Sequence, residues 1–149
     1  MNNDLEPCVS FMKDLEKFIF RMNTEWEGII KAYDLTISSF PFFDYISNNP
    51  GVTQKEMADA FSVDKAISSR ACKYLETKNL IERKNDNRYS HGYGCYLTEK
   101  GEDVYKRIIK EGNEGLSKIF SGVSTTDLEK VRNLIVQLNE NLWKEGERK

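Results

Sequence analysis

The chain has 149 residues, 39% of them hydrophobic and 31% charged, and a formal net charge of −2 at pH 7. That length predicts a single domain over residues 1–149. The net charge excludes a uniformly basic nucleic-acid binder, so a DNA-binding surface would have to be local. No uncharged run approaches the roughly 20 residues that a membrane span requires.

Cysteine usage and the N-terminus indicate the compartment. Cys8, Cys72 and Cys95 are an odd, scattered set that does not predict a secreted disulfide framework. The acidic N-terminus lacks the apolar core of a signal peptide. We therefore expect a cytoplasmic protein without a membrane partner.

Enzyme and metal chemistry are poorly represented. His91 is the one histidine, so a Ser-His-Asp arrangement would depend on it alone, and the chain has no G-x-x-x-x-G-K phosphate loop. His91 and Cys95 can share a strand face, but two ligands make a poor zinc site. We expect no enzymatic activity, no cofactor and no metal.

The first predicted element is a long helix over residues 8–33. Its apolar residues recur at steps of three or four: Phe11, Leu15, Phe18, Met22, Trp26, Ile29 and Tyr33. The helix would be about 40 Å long and would offer more apolar surface than one small lobe can cover. It is either an intramolecular core helix or a dimerisation helix that also covers the domain, and we favour the second.

A second helix is predicted between Leu35 and Asn48. Pro41 suits only the first turn of a helix, so the regular helix should begin near Ser39 or Phe40. The segment is rich in aromatic residues: Phe40, Phe42, Phe43 and Tyr45. Aromatic residues at helical spacing usually fill a core, and we favour that interpretation over a ligand pocket.

Residues 53–98 carry the most informative pattern, two short helices followed by a hairpin. A capping box from Thr53 to Glu56 starts the first helix. After a short turn, Asp64 can cap the second helix, which should end near Asn79 because asparagine tolerates the left-handed conformation. Two helices joined in this way form a helix-turn-helix.

The second of these helices is the predicted recognition helix. Its apolar face is formed by Ile67, Ala71, Tyr74 and Leu75, and the residues off that face are Ser68, Ser69, Arg70 and Lys73. Short hydroxyls and cations are the side chains that can reach phosphates and base edges.

A β-hairpin, or wing, is predicted next, with strands at residues 80–84 and 89–97. It carries Arg83, Lys84, Arg88 and His91. From Thr53 to Thr98 there are eight Lys and Arg residues against six Asp and Glu residues. This modest positive excess, beside an acidic remainder, agrees with a DNA-facing middle of the chain.

Two further helices complete the chain. Thr98 should cap the first, and Gly112 and Gly115 weaken its middle, so we expect a bend there. Residues 121–127 break the chain and cap the last helix. Its apolar residues follow the spacing of a packing seam: Leu128, Val131, Ile135, Leu138 and Leu142. We expect this seam to pack against the first helix and a partner's equivalents.

Seven short motifs follow one another between residues 35 and 101: Leu35-Thr36, Asn49-Pro-Gly-Val-Thr-Gln-Lys-Glu-Met-Ala58, Val63-Asp-Lys65, Ser69-Arg70, Leu75-Glu76, Leu80-Ile-Glu-Arg83 and Leu97-Thr-Glu-Lys-Gly101. Their ordered set resembles the MarR (multiple-antibiotic-resistance regulator) family. The resemblance implies a mainly α fold. A winged helix-turn-helix lobe at residues 35–100 would be flanked by helical dimerisation regions at residues 5–34 and 101–145.

The resemblance implies a homodimeric transcriptional regulator, a repressor, that binds a pseudo-palindromic site in double-stranded DNA. The residues implied to contact DNA are Thr53, Gln54, Lys55, Lys65, Ser68, Ser69, Arg70 and Lys73 in the helix-turn-helix, and Arg83, Lys84, Arg88 and His91 in the wing. Ser69 and Arg70 match the family's hydroxyl and arginine in the recognition helix. An ordinary solvated surface is the alternative for these residues.

Two regions depart from the family's pattern. Asp86-Asn-Arg88 resembles the motif near the wing tip but lies further from Leu97 than expected. Ile67 and Ser68 stand where the family usually has a polar residue followed by an apolar one. A slight rotation of the recognition helix, or an altered base preference, would follow.

The resemblance also implies a small aromatic effector that releases the DNA, bound near Trp26, Phe40, Phe43 and Tyr45. Two other functions stay open. One is a winged-helix protein-interaction module without DNA binding, suggested by the weak charge and the unusual wing. The other is a redox-sensing regulator that uses Cys8, although an incidental cysteine is the interpretation we favour, because Cys8 lacks the motif of the peroxide-sensing branch.

Overall fold

The computed structural model describes residues 5–85 and 92–146. In chain order these residues form α1 (Glu6–Ala32), α2 (Phe40–Asn48), α3 (Gln54–Phe61), α4 (Lys65–Thr77), β1 (Ile81–Asn85), β2 (Tyr93–Leu97), α5 (Glu99–Ile119) and α6 (Thr125–Gly146). The fold is mainly α with one antiparallel hairpin directly after the helix-turn-helix. The predicted fold class, a winged helix-turn-helix with flanking helices, is confirmed.

The helices begin where the local signals predict. Pro41 occupies the first turn of α2. At the start of α3, Thr53 Oγ1 accepts from the Glu56 N–H at 3.2 Å, and the Thr53 N–H donates to the Glu56 carboxylate at 2.8 Å. Asp64 occupies the N-cap position of α4 but makes no side-chain cap bond. The Ile67 N–H instead donates to the Asp64 carbonyl at 2.9 Å, which satisfies a first-turn donor without the carboxylate.

The end of α4 determines where the wing starts. Asn79 has φ = 57°, the left-handed conformation predicted for it. The Asn79 N–H donates to the Glu76 carbonyl at 2.8 Å, and the Leu80 N–H donates to the Leu75 carbonyl at 3.0 Å. These two bonds form a Schellman motif. Because Leu80 closes the helix, β1 begins at residue 81, one residue later than predicted.

The wing strands pair in antiparallel register, with Ile81 opposite Leu97 and Arg83 opposite Cys95. The predicted residues 89–91 of the second strand lie outside the described residues. Val52 forms an additional bridge to Cys95, with the Cys95 N–H donating to the Val52 carbonyl at 2.8 Å. The turn before α3 is thereby fastened to the base of the wing.

The α5 helix is anchored closely to the end of α4. Thr98 Oγ1 caps α5 by accepting from the Gly101 N–H at 3.0 Å, as predicted. A Cβ atom at Gly101 would lie 1.9 Å from the Leu80 carbonyl oxygen. Only glycine therefore allows this approach, and the Gly101 of the family motif has a packing reason.

The core joins α1 to α5 and the wing through one cluster of buried side chains. Its largest fully buried members are Phe43, Ile30, Ile46, Met57, Leu75 and Ile108. The end of α1 is also tied to α5, because the Tyr33 hydroxyl donates to Glu111. That hydrogen bond, with the negative charge of Glu111, raises the pKa of Tyr33.

The chain divides into two compact units, Met1–Asn113 and Glu114–Lys149, with the boundary inside α5. α5 continues as a helix past Gly112 and Gly115 to Ile119. In the second unit, Ser124 Oγ accepts from the Asp127 N–H at 3.1 Å and caps α6. Within residues 5–85 and 92–146, each helix is too short or too polar to cross a bilayer.

Candidate nucleic-acid interface

The two helices of the helix-turn-helix are joined by a buried hydrogen bond. Ser68 is fully buried, and its Oγ donates to the Gln54 carbonyl at 2.8 Å. Ile67, which we predicted on the apolar face, is 39% exposed instead. The buried side of α4 consists of Ser68, Cys72 and Leu75. The prediction that Ser68 lies off the packed face is therefore corrected, and its hydroxyl holds α3 against α4.

Four cations of the helix-turn-helix are exposed. Lys65, Arg70 and Lys73 are exposed on α4, and Lys55 is exposed in the first turn of α3. None of the four forms an ion pair with another residue in the described ranges. Ser69 is exposed beside Arg70. These residues offer unneutralised positive charge and a hydroxyl on the surface of the helix-turn-helix.

The start of α3 presents backbone donors together with these side chains. The Thr53 hydroxyl is committed to the capping box, where it contacts the Glu56 carboxylate at 3.0 Å. Gln54 is half-buried and Lys55 exposed. The first N–H groups of a helix attract anions, so Gln54 and Lys55 suit a phosphate contact better than the Thr53 side chain does.

The cations at the base of the wing are paired within the chain. Arg83 donates to the Glu76 carboxylate of α4 at 2.6 Å, which raises the pKa of Arg83. Lys84 lies 2.7 Å from the Glu82 carboxylate and 5.4 Å from the centre of the Tyr96 ring. Arg88 and His91 lie outside the described residues. The described part of the wing thus offers less free positive charge than its sequence suggests.

Two buried thiols meet beneath the recognition helix. Cys72 and Cys95 are both fully buried. The neighbouring Cys95 thiol and burial raise the pKa of Cys72. The proximity of Cys72 to Cys95 was not predicted, because no local signal relates residues 23 positions apart.

The aromatic residues proposed as an effector site are packed in the core region. Trp26 lies against Phe40, with ring centres 5.8 Å apart. Phe43 is fully buried and meets Tyr105 edge to face at 5.7 Å. Tyr45 packs against Phe61 at 5.3 Å. This packing agrees with the core interpretation that we favoured from the sequence.

Two open cavities lie elsewhere in the first unit. One, of about 440 Å³, is lined by Tyr33, Glu99, Lys100, Asp103, Val104 and Arg107. The other, of about 310 Å³, is lined by Ile46, Ser47, Pro50, Tyr96, Leu97, Glu102, Tyr105 and Lys106. Sequence reasoning identified neither, because each combines residues from distant segments.

Cys8 is an exposed, free cysteine on α1. Among the described residues, no group of three or more His, Cys, Asp or Glu side chains is arranged to hold a metal ion.

Comparisons with known proteins agree with this geometry. The model of the MarR family matches residues 33–88. The HTH-type transcriptional regulator BilQ of Clostridioides difficile (strain CD3) is 30% identical over 113 residues, or 74% of this chain and 75% of BilQ. YybA of Bacillus subtilis (strain 168), named an uncharacterized HTH-type transcriptional regulator, is 28% identical over 117 residues, or 78% of each chain.

A solved structure shows the same fold over most of the chain. It is that of a protein from Listeria monocytogenes, named as a MarR family transcriptional regulator and complexed with 26mer DNA. The TM-score is 0.73 at 22% identity, over 90% of this chain and 89% of that one. With a family match that includes the helix-turn-helix and a regulator 30% identical over three quarters of its length, this chain belongs to the MarR family, whose members are transcriptional regulators and not enzymes.

Proposed function

We propose that this protein binds double-stranded DNA as a homodimer and acts as a transcriptional repressor. α4 would enter the major groove of each half of a pseudo-palindromic operator, with the wing against the backbone or the minor groove. A DNA target places this activity in the cytoplasm. The domain roles follow: residues 35–100 bind DNA, and residues 5–34 and 101–145 dimerise.

The observation that carries the proposal is the set of exposed, unpaired cations on α3 and α4. Lys55, Lys65, Arg70 and Lys73 supply four positive charges per protomer, and no described carboxylate neutralises them by ion pairing. Arg70 is our candidate for a base contact, because arginine can bind guanine with two hydrogen bonds. Lys55, Lys65, Lys73, Ser69 and the amide of Gln54 suit phosphate contacts.

The wing and Ser68 contribute differently. Arg83 and Lys84 reach DNA only by exchanging their partners Glu76 and Glu82 for phosphate, so we assign them a smaller share of the affinity. Ser68 contributes by positioning α4. The Listeria protein, solved with DNA and sharing the fold, supports DNA binding in the proposal.

Release by a small aromatic effector is also proposed, on the family resemblance. Trp26, Phe40, Phe43 and Tyr45 are packed against neighbouring rings, so a ligand there would have to displace a packed side chain. The effect of such a ligand would be a population shift between two dimer shapes, one of which fits DNA better.

The first experiment is a fluorescence-anisotropy titration with the DNA upstream of the protein's own gene, at 50 and 200 mM salt. Three lysines per protomer imply about six phosphate contacts per dimer, so affinity should fall by about 10³-fold between these salts. A folded protein that binds no DNA at low salt would contradict the proposal and favour the protein-interaction module. An apolar protein interface need not depend on salt.

Arg70→Ala tests the proposed base contact. If Arg70 reads a base, its removal should weaken operator binding by about 1–3 kcal/mol and relax sequence selectivity; if it contacts phosphate, the salt slope should fall by about one per half-site instead. Arg107→Ala, at an exposed arginine on α5, is the matched control and should leave the operator affinity, the sequence selectivity and the salt slope unchanged. Unchanged affinity and salt slope in Arg70→Ala would remove Arg70 from the interface.

A further inference from the structure

The outer surface of α4 carries an apolar residue among its polar ones. Ser68, Cys72 and Leu75 are fully buried and define which side of α4 faces the lobe. A helix turns by about 100° per residue, so Ile67 lies about 80–140° around the helix from these three residues, on the flank of α4. Its side chain is 39% exposed.

This orientation is held by a hydrogen bond as well as by packing. Ser68 Oγ donates to the Gln54 carbonyl at 2.8 Å. Rotating α4 to bury Ile67 would withdraw Ser68 and break that bond. Of the two consequences expected from the unusual order at residues 67 and 68, the structure therefore supports altered base preference, since Ser68 occupies the inward position.

The position of Ile67 on α4 makes its exposure relevant to base recognition. A single exposed isoleucine is ordinary on a protein surface, but Ile67 is the third residue of α4, and base edges are contacted by the N-terminal residues of a recognition helix. It lies three residues before Arg70, so the two side chains are neighbours on the helix surface. Lys65 and Ala66 are also exposed on this first turn.

The major groove has one apolar group for such a side chain. Each base pair presents hydrogen-bond donors or acceptors there, and thymine adds its C5-methyl group. An isoleucine cannot pair with a donor or an acceptor, and it would leave such a group without its water. Contact with a methyl group instead removes apolar surface of both partners from water.

We propose that Ile67 reads the C5-methyl group of a thymine in each operator half-site. Residues three apart on a helix are separated by about 4.5 Å along its axis, and base pairs by about 3.4 Å. The thymine therefore lies one or two base pairs from the base that Arg70 contacts. This inference rests on the proposed DNA-binding function and adds a base preference to it.

The test replaces thymine by deoxyuridine, which removes the methyl group and keeps every hydrogen-bonding group. Each thymine of the operator is substituted in turn, and binding of the full-length protein is measured by anisotropy at one salt concentration. One position per half-site should weaken binding by about fourfold, and the double substitution by about fifteenfold. At that position Ile67→Ala should bind thymine and uracil equally.

Two further variants make the result specific. Ile67→Val keeps a branched apolar side chain and should keep most of the preference for thymine. Lys73→Ala should weaken binding to both DNAs alike and keep the thymine-to-uracil ratio. Circular dichroism and melting of each variant confirm that it is folded.

The outcomes separate this inference from the proposed function. Salt-sensitive binding without any uracil-sensitive position overturns the role of Ile67 alone, as does a thymine preference that persists in Ile67→Ala. No salt-sensitive DNA binding by the wild-type protein overturns both. A preference present in the wild type and absent from Ile67→Ala supports both.

Discussion

At the scale of single residues, Ser68 shows how one hydroxyl can position a binding helix. It is fully buried on a helix whose neighbouring residues are exposed. Its hydrogen bond crosses from α4 to the Gln54 carbonyl in the first turn of α3. A serine is tolerated in the core because this bond satisfies its hydroxyl.

Ser68→Ala should lower the free energy of unfolding by about 1 kcal/mol, the usual net contribution of one hydrogen bond. The loss should not exceed this value, because the Gln54 carbonyl can keep its hydrogen-bond partner within α3 and is not left unsatisfied. Urea denaturation measures the loss. The matched control is Ser69→Ala, which removes an exposed hydroxyl from the adjacent residue and should change stability by less than about 0.5 kcal/mol. Equal stability of the two variants would contradict the structural role of Ser68.

Residue roles that depend on nearby sequence were predictable, and those that depend on distant partners were not. The capping box at Thr53 and the left-handed Asn79 rest on contacts within a few residues, and both are present. The inward turn of Ser68 rests on a bond to residue 54, and the pairing of Arg83 with Glu76 joins a helix to a strand. Periodicity assigns such residues to a face by polarity, which fails where a polar side chain finds a buried partner.

At the scale of elements, α5 shows why a glycine can stand inside a helix. Gly112 is buried, and a Cβ atom there would lie 2.4 Å from Cη2 of Trp26. The Trp26 ring is itself held against Phe40. The sequence predicted a bend because the cost of two glycines within a helix is visible in it. The tryptophan that lies over Gly112 is not visible in the sequence.

Gly112→Ala should therefore destabilise the protein although alanine is the better helix former. Overpacking costs about 1–3 kcal/mol, against a gain in helix propensity of at most about 1 kcal/mol. Gly115→Ala, with no atom within 4 Å of the added Cβ, is the control and should raise stability by about 0.5–1 kcal/mol. Thermal unfolding followed by circular dichroism measures both. A stabilising Gly112→Ala would show that Trp26 can move aside.

At the scale of the whole molecule, both long flanking helices expose apolar side chains. On α1, Val9 is 50% and Phe20 74% exposed, and on α6, Val131 is 55% and Leu142 71% exposed. None of the described side chains of α6 is buried. Large exposed apolar patches mark interaction sites on soluble proteins. The spacing in the sequence predicted the α6 seam that includes Val131 and Leu142, whereas Val9 and Phe20 lie outside the stripe predicted for α1. The proposed homodimer gives both exposed faces a partner.

Val131→Asp should convert the proposed dimer into a monomer. An aspartate buried in an apolar interface costs several kcal/mol because its charge loses water without gaining a partner. About 4 kcal/mol, at both copies together, raises the dissociation constant roughly a thousandfold. Sedimentation velocity at micromolar concentrations measures the change.

Asn133→Asp introduces the same side chain two residues away, about 200° around the helix from Val131, and should leave the dimer intact.

Operator affinity should fall when dimerisation is lost, because a monomer contacts only one half-site and roughly half of the phosphates. A Val131→Asp protein that still sediments as a dimer would exclude this face of α6 from the interface. A monomeric wild type would contradict the homodimer, and with it the pseudo-palindromic operator, since two-fold symmetry in the site mirrors two-fold symmetry in the protein.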